Sequence, residues 1–229
     1  MQYSLKQYLL LGAIAFILVG VITPVMKSIA IRIGAFDSPN IARKVHSEPI
    51  PYLGGIAIAL GILVSSYGAL LYSNMTMDNF NLASSVLIPA LAMALMGLFD
   101  DLRGMEPWPR LVMQTAVALL VSIILISTNT IGTSTNNALI DGAVTIFWIV
   151  GVCNSINFFD NLDGGASGTV AVITFLLFFI SFDRHQELVS ALAIVTAGAT
   201  GGFLLWNRSP AKIYMGDAGA LFWELSLRY

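Results

Sequence analysis

Five aspartates fall at the ends of strongly apolar runs: the adjacent pair Asp100-Asp101, then Asp160 with Asp163, then Asp217. A carboxylate is costly beside hydrocarbon, and acids that recur at membrane boundaries mark functional sites. Adjacent carboxylates repel and raise one another's pKa unless a cation or a base offsets them. Mg²⁺ takes oxygen ligands and commonly keeps phosphates and waters in its shell. Five acids at one membrane face therefore point to a divalent cation and a phosphorylated substrate. For Asp100-Asp101 three readings stay open: metal binding, deprotonation of an incoming phosphate or hydroxyl, or a solvated helix end with Arg103 and Arg110 as partners.

Asn154, Asn157 and Asp160 lie three apart, so on a helix they share a drifting stripe. Polar groups on one stripe of a spanning helix are expected to face the bundle interior. Asp163-Gly164-Gly165 then makes a turn into the next helix. Amide oxygens and carboxylates ligate hard cations, and amide nitrogens donate to phosphate. The alternative is an interhelical hydrogen-bond network that serves packing. Asp217 sits between glycines in Lys212-Ile213-Tyr214-Met215-Gly216-Asp217-Ala218-Gly219. It reads as a metal ligand with Lys212 neutralising phosphate, or as a helix N-cap.

A basic loop completes the candidates. It runs Asp37-Ser38-Pro39-Asn40, Arg43-Lys44-Val45-His46, Pro49-Ile50-Pro51 and Gly54-Gly55. Its prolines exclude a regular helix. Arg43, Lys44 and His46 are expected near phosphate, or the cations act as topology determinants against anionic lipid. Gly54-Gly55 lets backbone approach a ligand or another helix closely.

The elements that position these residues follow from composition. The chain has 229 residues, of which 57% are hydrophobic and 10% charged, and its net charge is −2. Its mean hydropathy is +0.81. Soluble domains carry about 25% charged residues, so this is an integral membrane protein. No basic excess points to nucleic acid. Cys153 is the only cysteine, which excludes an internal disulfide, and it reads as a small apolar core residue. The first apolar run is too long for a signal-peptide core and reads as a retained span.

A spanning helix needs about 20 apolar residues. Spans are expected at 8–31, 53–73, 84–99, 110–128, 143–159, 168–182 and 188–206, with the start of an eighth near Ala218. The fold class is all-α, a polytopic membrane helical bundle forming a single domain over residues 1–229. The connections after spans one, three, five and seven hold eight basic residues: Lys27, Arg32, Arg43, Lys44, Arg103, Arg110, Arg208 and Lys212. The opposite side holds Lys6 and Arg184. By the positive-inside rule the N-terminus is outside, and every acid cluster is cytoplasmic. Asn74-Met75-Thr76 matches a glycosylation sequon on the outer side.

Four segments together resemble the polyprenyl-phosphate N-acetylhexosamine-1-phosphate transferase superfamily. They are Asp37-x-Pro39 with Arg43-Lys44-x-His46, Pro49-x-Pro51 and Gly54-Gly55; Asp100-Asp101; Asn154-x-x-Asn157-x-x-Asp160-x-x-Asp163-Gly164; and Met215-Gly216-Asp217-Ala218-Gly219. The first loop and the Gly-Asp-Ala-Gly segment are most similar to the branch typified by WecA and TagO. The resemblance implies transfer of GlcNAc-1-phosphate from UDP-GlcNAc to undecaprenyl phosphate with release of UMP, Mg²⁺ or Mn²⁺ being required. It implies a bacterial plasma-membrane enzyme that starts a cell-envelope polysaccharide, and dimerisation as an option. Residue by residue, Asp100 and Asp101 match the family's acidic pair, proposed for acceptor activation or metal binding. Asn154, Asn157, Asp160 and Asp163 match its active-site stripe, Asp217 its metal-binding aspartate and Lys44 its loop lysine.

Three departures accompany this resemblance. Asn161 stands where many members have Gly, and Ala220 where Ser is common. The family also continues through further spans and a histidine-rich loop, so the C-terminal part of the family domain is expected to be missing here. Rival readings are a phospho-MurNAc-pentapeptide translocase, an inactive truncated member, and an ion or solute transporter. The transporter reading needs a polar relay crossing to the outer face, and none is visible in the sequence.

Overall fold

The structure is a computed structural model, and it describes residues 3–37, 49–72, 77–127, 135 and 137–219. Arg43, Lys44, His46 and the Asn74 sequon lie outside the described residues.

The apolar runs form helices because a bilayer-depth backbone must satisfy its own hydrogen bonds. Seven follow in order: α1 (Leu5–Ile33), α2 (Gly54–Tyr72), α3 (Met77–Arg103), α4 (Pro107–Ser127), α5 (Ala138–Phe159), α6 (Gly165–Asp183) and α7 (Glu187–Asn207). All seven are long and apolar enough to cross a membrane. The expected spans are borne out, and the chain is a multi-pass membrane protein. The helices run past the sequence estimates because polar end residues join them. Asn137 caps α5, its side-chain oxygen accepting from the N–H groups of Leu139 and Ile140 at 3.0 and 3.4 Å. Gly34 ends α1 and Gly164 precedes α6, both at positive φ, where glycine carries no Cβ penalty. Residues 216–219 begin a further helical turn.

α7 is the central helix, packed chiefly on α1 and α6 and also on α2. The α1–α7 crossing is close: a Cβ at Gly198 would stand 2.1 Å from the Gly12 carbonyl oxygen. Small residues at such crossings let helices associate through van der Waals contact. Cys153 is fully buried, as expected. Trp148 and Tyr72 face outward, consistent with interfacial positions.

One end of the bundle carries backbone pairing outside the helices. Strands β1 (Phe36–Asp37) and β2 (Ile50–Pro51) pair antiparallel, Phe36 opposite Pro51. On the other side of the same segment, Tyr52 bridges Tyr214 in parallel. The N–H groups of Gly54 and Gly55 donate to the carbonyls of Tyr214 and Met215 at 3.0 and 2.8 Å. The Gly54-Gly55 pair thus admits another backbone segment, and a Cβ on Gly55 would lie 2.0 Å from the Gly219 nitrogen.

Candidate active site

The turn at 216–219 is where the acids meet. It reaches the bundle end from α7 through a buried clamp. Ser167 donates to Asn207 Oδ1 at 2.6 Å, and Asn207 Nδ2 donates to the Ile213 carbonyl at 3.1 Å. Asp163 holds the middle of this connection. Its Oδ2 accepts the Ala211 N–H at 3.0 Å and its Oδ1 accepts the Tyr214 hydroxyl at 3.1 Å. Asp160 Oδ2 accepts the Gly216 N–H at 3.1 Å.

Asp101 receives the turn itself. Its Oδ1 accepts the Asp217 N–H at 2.9 Å and its Oδ2 the Ala218 N–H at 3.1 Å. N–H groups at a helix start lack partners within the helix, and a carboxylate satisfies them while meeting the positive end of the helix dipole. The N-cap alternative for Asp217 is thereby turned around, because Asp101 caps the helix that carries Asp217. Tyr52 steadies the same corner, its hydroxyl donating to the Asp101 carbonyl at 2.7 Å. α3 comes close enough for this at Gly97, where a Cβ would stand 2.3 Å from the Asp217 carbonyl oxygen.

Asp100 faces a different partner. Its Oδ1 accepts the Met105 N–H at 2.6 Å, across the turn that leaves α3. Its Oδ2 lies 2.6 Å from Arg110 Nε, and Arg110 Nη2 lies 3.2 Å from Asp217 Oδ2. Asn157 Nδ2 donates to the other Asp217 oxygen. The side chain of Asp100 is 3% exposed, that of Asp217 19% and that of Arg110 26%. The expectation of a solvated helix end therefore fails in part. Arg110 is the partner, as one reading had it, but the Asp100 carboxylate is buried and Arg110 only partly exposed. Arg103 is not in the cluster, its guanidinium lying 5.1 Å from the centroid of the Phe99 ring.

Asp100, Asp101, Asp160 and Asp217 thus meet at the 216–219 turn, and among the described residues Arg110 is the guanidinium paired with Asp100 and Asp217. Burial, together with the nearby Asp100 and Asp101 carboxyls, pushes Asp217 up to about 7 against the opposing pull of Arg110. Among the described residues the acids outnumber the guanidinium beside them. Their donors are hard oxygens, the chemistry that Mg²⁺ or Mn²⁺ takes, and Mg²⁺ usually binds one or two carboxylates with phosphates and water completing its shell. Among the described residues no three His, Cys, Asp or Glu side chains are grouped so as to hold a metal ion by themselves.

Two expected site residues stand elsewhere. Asn154 leaves the stripe, because a three-residue step drifts round the helix, and it is exposed with its Nδ2 donating to Gln114 Oε1 at 3.0 Å. Lys212 is also exposed, its Nζ lying 5.5 Å from the centroid of the Trp206 ring. Two residues absent from the sequence candidates matter here. Tyr214 lies two residues from Lys212 but gave no separate signal. Gln114, 1% exposed, is a lone amide in an apolar helix one turn beyond Arg110, a signal that was readable. A further buried acid, Asp141, accepts from Thr135 at 2.9 Å near the start of α5, at the opposite end of that helix from Asn157.

The chain is 30% identical over 219 residues to the probable undecaprenyl-phosphate N-acetylglucosaminyl 1-phosphate transferase of Bacillus subtilis (strain 168), covering 93% of this chain and 59% of that protein. It is 30% identical over 243 residues to the decaprenyl-phosphate N-acetylglucosaminephosphotransferase of Mycolicibacterium smegmatis, covering 97% and 59%. Against the phospho-N-acetylmuramoyl-pentapeptide-transferase of Lactobacillus gasseri the identity is 27%, covering 75% and 57%. The chain therefore spans about three fifths of the length of these relatives. The sequence profile described as glycosyl transferase family 4 matches residues 83–228, a stretch that holds all five aspartates of the site end, and the chain belongs to that family.

Proposed function

We propose that this protein transfers a sugar-1-phosphate, GlcNAc-1-phosphate from UDP-GlcNAc, to undecaprenyl phosphate with release of UMP, as a first membrane step of cell-envelope polysaccharide synthesis. The observation that carries the reading is the convergence of Asp100, Asp101, Asp160 and Asp217 at the 216–219 turn, with Arg110 bridging two of them, at one end of a membrane bundle. The relatives named as undecaprenyl- and decaprenyl-phosphate GlcNAc phosphotransferases support it. A lipid acceptor explains why the site stands at a membrane face. The bias of basic residues supports a cytoplasmic site in the bacterial plasma membrane with the N-terminus outside.

Asp217 and Asp100 are the residues that would hold Mg²⁺ or Mn²⁺, with Asp101 fixing Asp217 in place. Bound there, the cation supplies charge neutralisation for the diphosphate and the leaving UMP phosphate. In-line phosphoryl transfer otherwise needs positioning and charge stabilisation. An oxygen of the lipid phosphate attacks the sugar-bearing phosphorus, the bond from that phosphorus to the bridging oxygen breaks, and UMP leaves with the electron pair. One of Asp100 or Asp101 takes or accommodates the acceptor's proton. Arg43, Lys44 and His46 are assigned to the substrate phosphates. Asn157 aligns Asp217, and Asp160 and Asp163 hold the 211–216 segment. Asn154 and Lys212, both exposed, are open to substrate at the rim. A homodimer is compatible with this arrangement.

The test is UMP release from membranes containing the protein, given UDP-GlcNAc, undecaprenyl phosphate and Mg²⁺, with Asp217→Asn as control. Release that needs lipid, cation and Asp217 is expected. A phospho-enzyme trapped in Asp100→Asn or Asp101→Asn would overturn direct attack. The similarity to the Lactobacillus gasseri protein favours a second donor, UDP-MurNAc-pentapeptide, and exchanging the donor in the same assay decides between them.

A further inference from the structure

Arg110 stands across two carboxylates rather than forking onto one. Nε is 2.6 Å from Asp100 and Nη2 3.2 Å from Asp217. A guanidinium makes its strongest pair with both arms on one carboxylate, so this span is set by where the carboxylates are held. Both are held firmly. Asp100 is fixed by the Met105 N–H and Asp217 by Asn157 and, through its backbone, by Asp101. Arg110 is the adaptable member. It hangs from the first turn of α4 on a long flexible stem and is the most exposed of the three side chains.

The position it fills is the one a divalent cation would take between the same two oxygens. Cation and guanidinium cannot both sit there, because like charges at that separation repel strongly in a partly buried site. A displaced guanidinium brings five N–H donors and no acceptor, which suits phosphate oxygens.

We infer that Arg110 is an exchangeable counter-ion, which yields its place between Asp100 and Asp217 to the divalent cation and turns onto a phosphate of the incoming nucleotide. This rests on the cation reading above and deepens it. Arg110 is a positioning residue that couples two ligands. It opposes the cation while the nucleotide is absent and favours it once phosphate gives the guanidinium a new partner. Such linkage is reciprocal, with coupling factors of roughly 5–150-fold.

The experiment measures Mn²⁺ binding to the purified full chain in nanodiscs by the electron paramagnetic resonance signal of unbound Mn²⁺, with and without UMP, each against a protein-free blank. In the wild-type chain UMP is expected to tighten Mn²⁺ binding by about tenfold, within that range. Arg110→Gln is expected to bind Mn²⁺ about tenfold more tightly than wild type without UMP, and to lose most of the UMP effect. Arg110→Lys keeps the charge but not the span, and is expected between the two; it also serves where the Gln variant does not fold. Equal or weaker Mn²⁺ binding by both variants overturns the inference, since a merely structural bridge would loosen the carboxylates when removed. Failure of Mn²⁺ to bind the wild-type chain under either condition overturns the cation reading along with it. Binding that Asp217→Asn abolishes but Arg110 variants leave unchanged overturns this inference alone.

Discussion

Asp101 and Asp217 are joined through the backbone: the carboxylate of one accepts the N–H of the other at 2.9 Å. Two acids that the sequence presents as equivalent candidates therefore have different work. Asp101 spends both oxygens on the start of a helical turn, while Asp217 points its own carboxylate at Arg110 and Asn157.

Asp101→Asn tests that division. The amide keeps one oxygen and so keeps one of the two N–H partners, letting Asp217 shift. Misplacement by about 1 Å costs around 10²-fold in rate. UMP release is expected to fall by about that factor and Mn²⁺ affinity to weaken with it, although Asp101 is not assigned as a ligand. Unchanged Mn²⁺ affinity would place Asp101 outside the support of Asp217.

Gly97→Ala probes the same turn from the opposite wall. The added methyl would stand 2.3 Å from the Asp217 carbonyl oxygen, so α3 and the turn must separate. Overpacking of this kind costs about 1–3 kcal/mol. Lowered thermal stability and a larger loss of activity than of stability are expected. A variant with wild-type melting and turnover would show that the turn moves without consequence.

The pH dependence has a definite sign. Asp217 is raised from its ordinary 3.8 to about 7, first by burial and then by Asp100 and Asp101. Between those values the folded protein keeps a proton that the unfolded chain has released, so stability falls as pH rises from about 4 to about 7 and is level above. Cation binding runs the other way, because a ligand must be deprotonated, and Mn²⁺ affinity is expected to weaken as pH drops below about 7. Asp217→Asn is expected to flatten the stability trend. Melting temperatures measured at pH 5 and pH 8 without divalent cation check this, and parallel slopes for both proteins would contradict it.

Tyr214→Phe removes the hydroxyl that Asp163 accepts at 3.1 Å and leaves the Ala211 N–H in place. A loss of about 1 kcal/mol in stability is expected, with a few-fold loss of activity. Asp163→Ala, which removes both contacts, is expected to be distinctly worse. Equal behaviour of the two variants would mean that Asp163 acts on substrate directly.

Much of this was legible beforehand because each link is local. Seven apolar runs of bilayer length leave no choice of element, and acids at their ends must gather at one face if the spans alternate. Of the three-residue stripe, Asn157 and Asp160 reach the 216–219 turn, while the drift of that spacing carries Asn154 off it. The split between Asp100 and Asp101 was not legible. Neighbours on a helix point about 100° apart, and which of them meets α4 and which meets the 216–219 turn depends on tertiary packing. The place of Lys212 was not legible for a related reason, because its proximity to the site motif in sequence does not show that its ammonium lies beside the Trp206 ring.

The backbone pairing of Gly54 and Gly55 with Tyr214 and Met215 has a consequence for biogenesis. These partners leave the ribosome far apart in time, and closing so long a loop yields nothing until the later segment arrives. The acids remain separate charges at separate helix ends through most of membrane insertion. They acquire their shared surroundings only when α7 and the turn after it dock against the start of α2. A chain with one hairpin inserted the wrong way round would strand some of these acids in the other compartment. Correct topology and the gathering of these acids at one face are then one event.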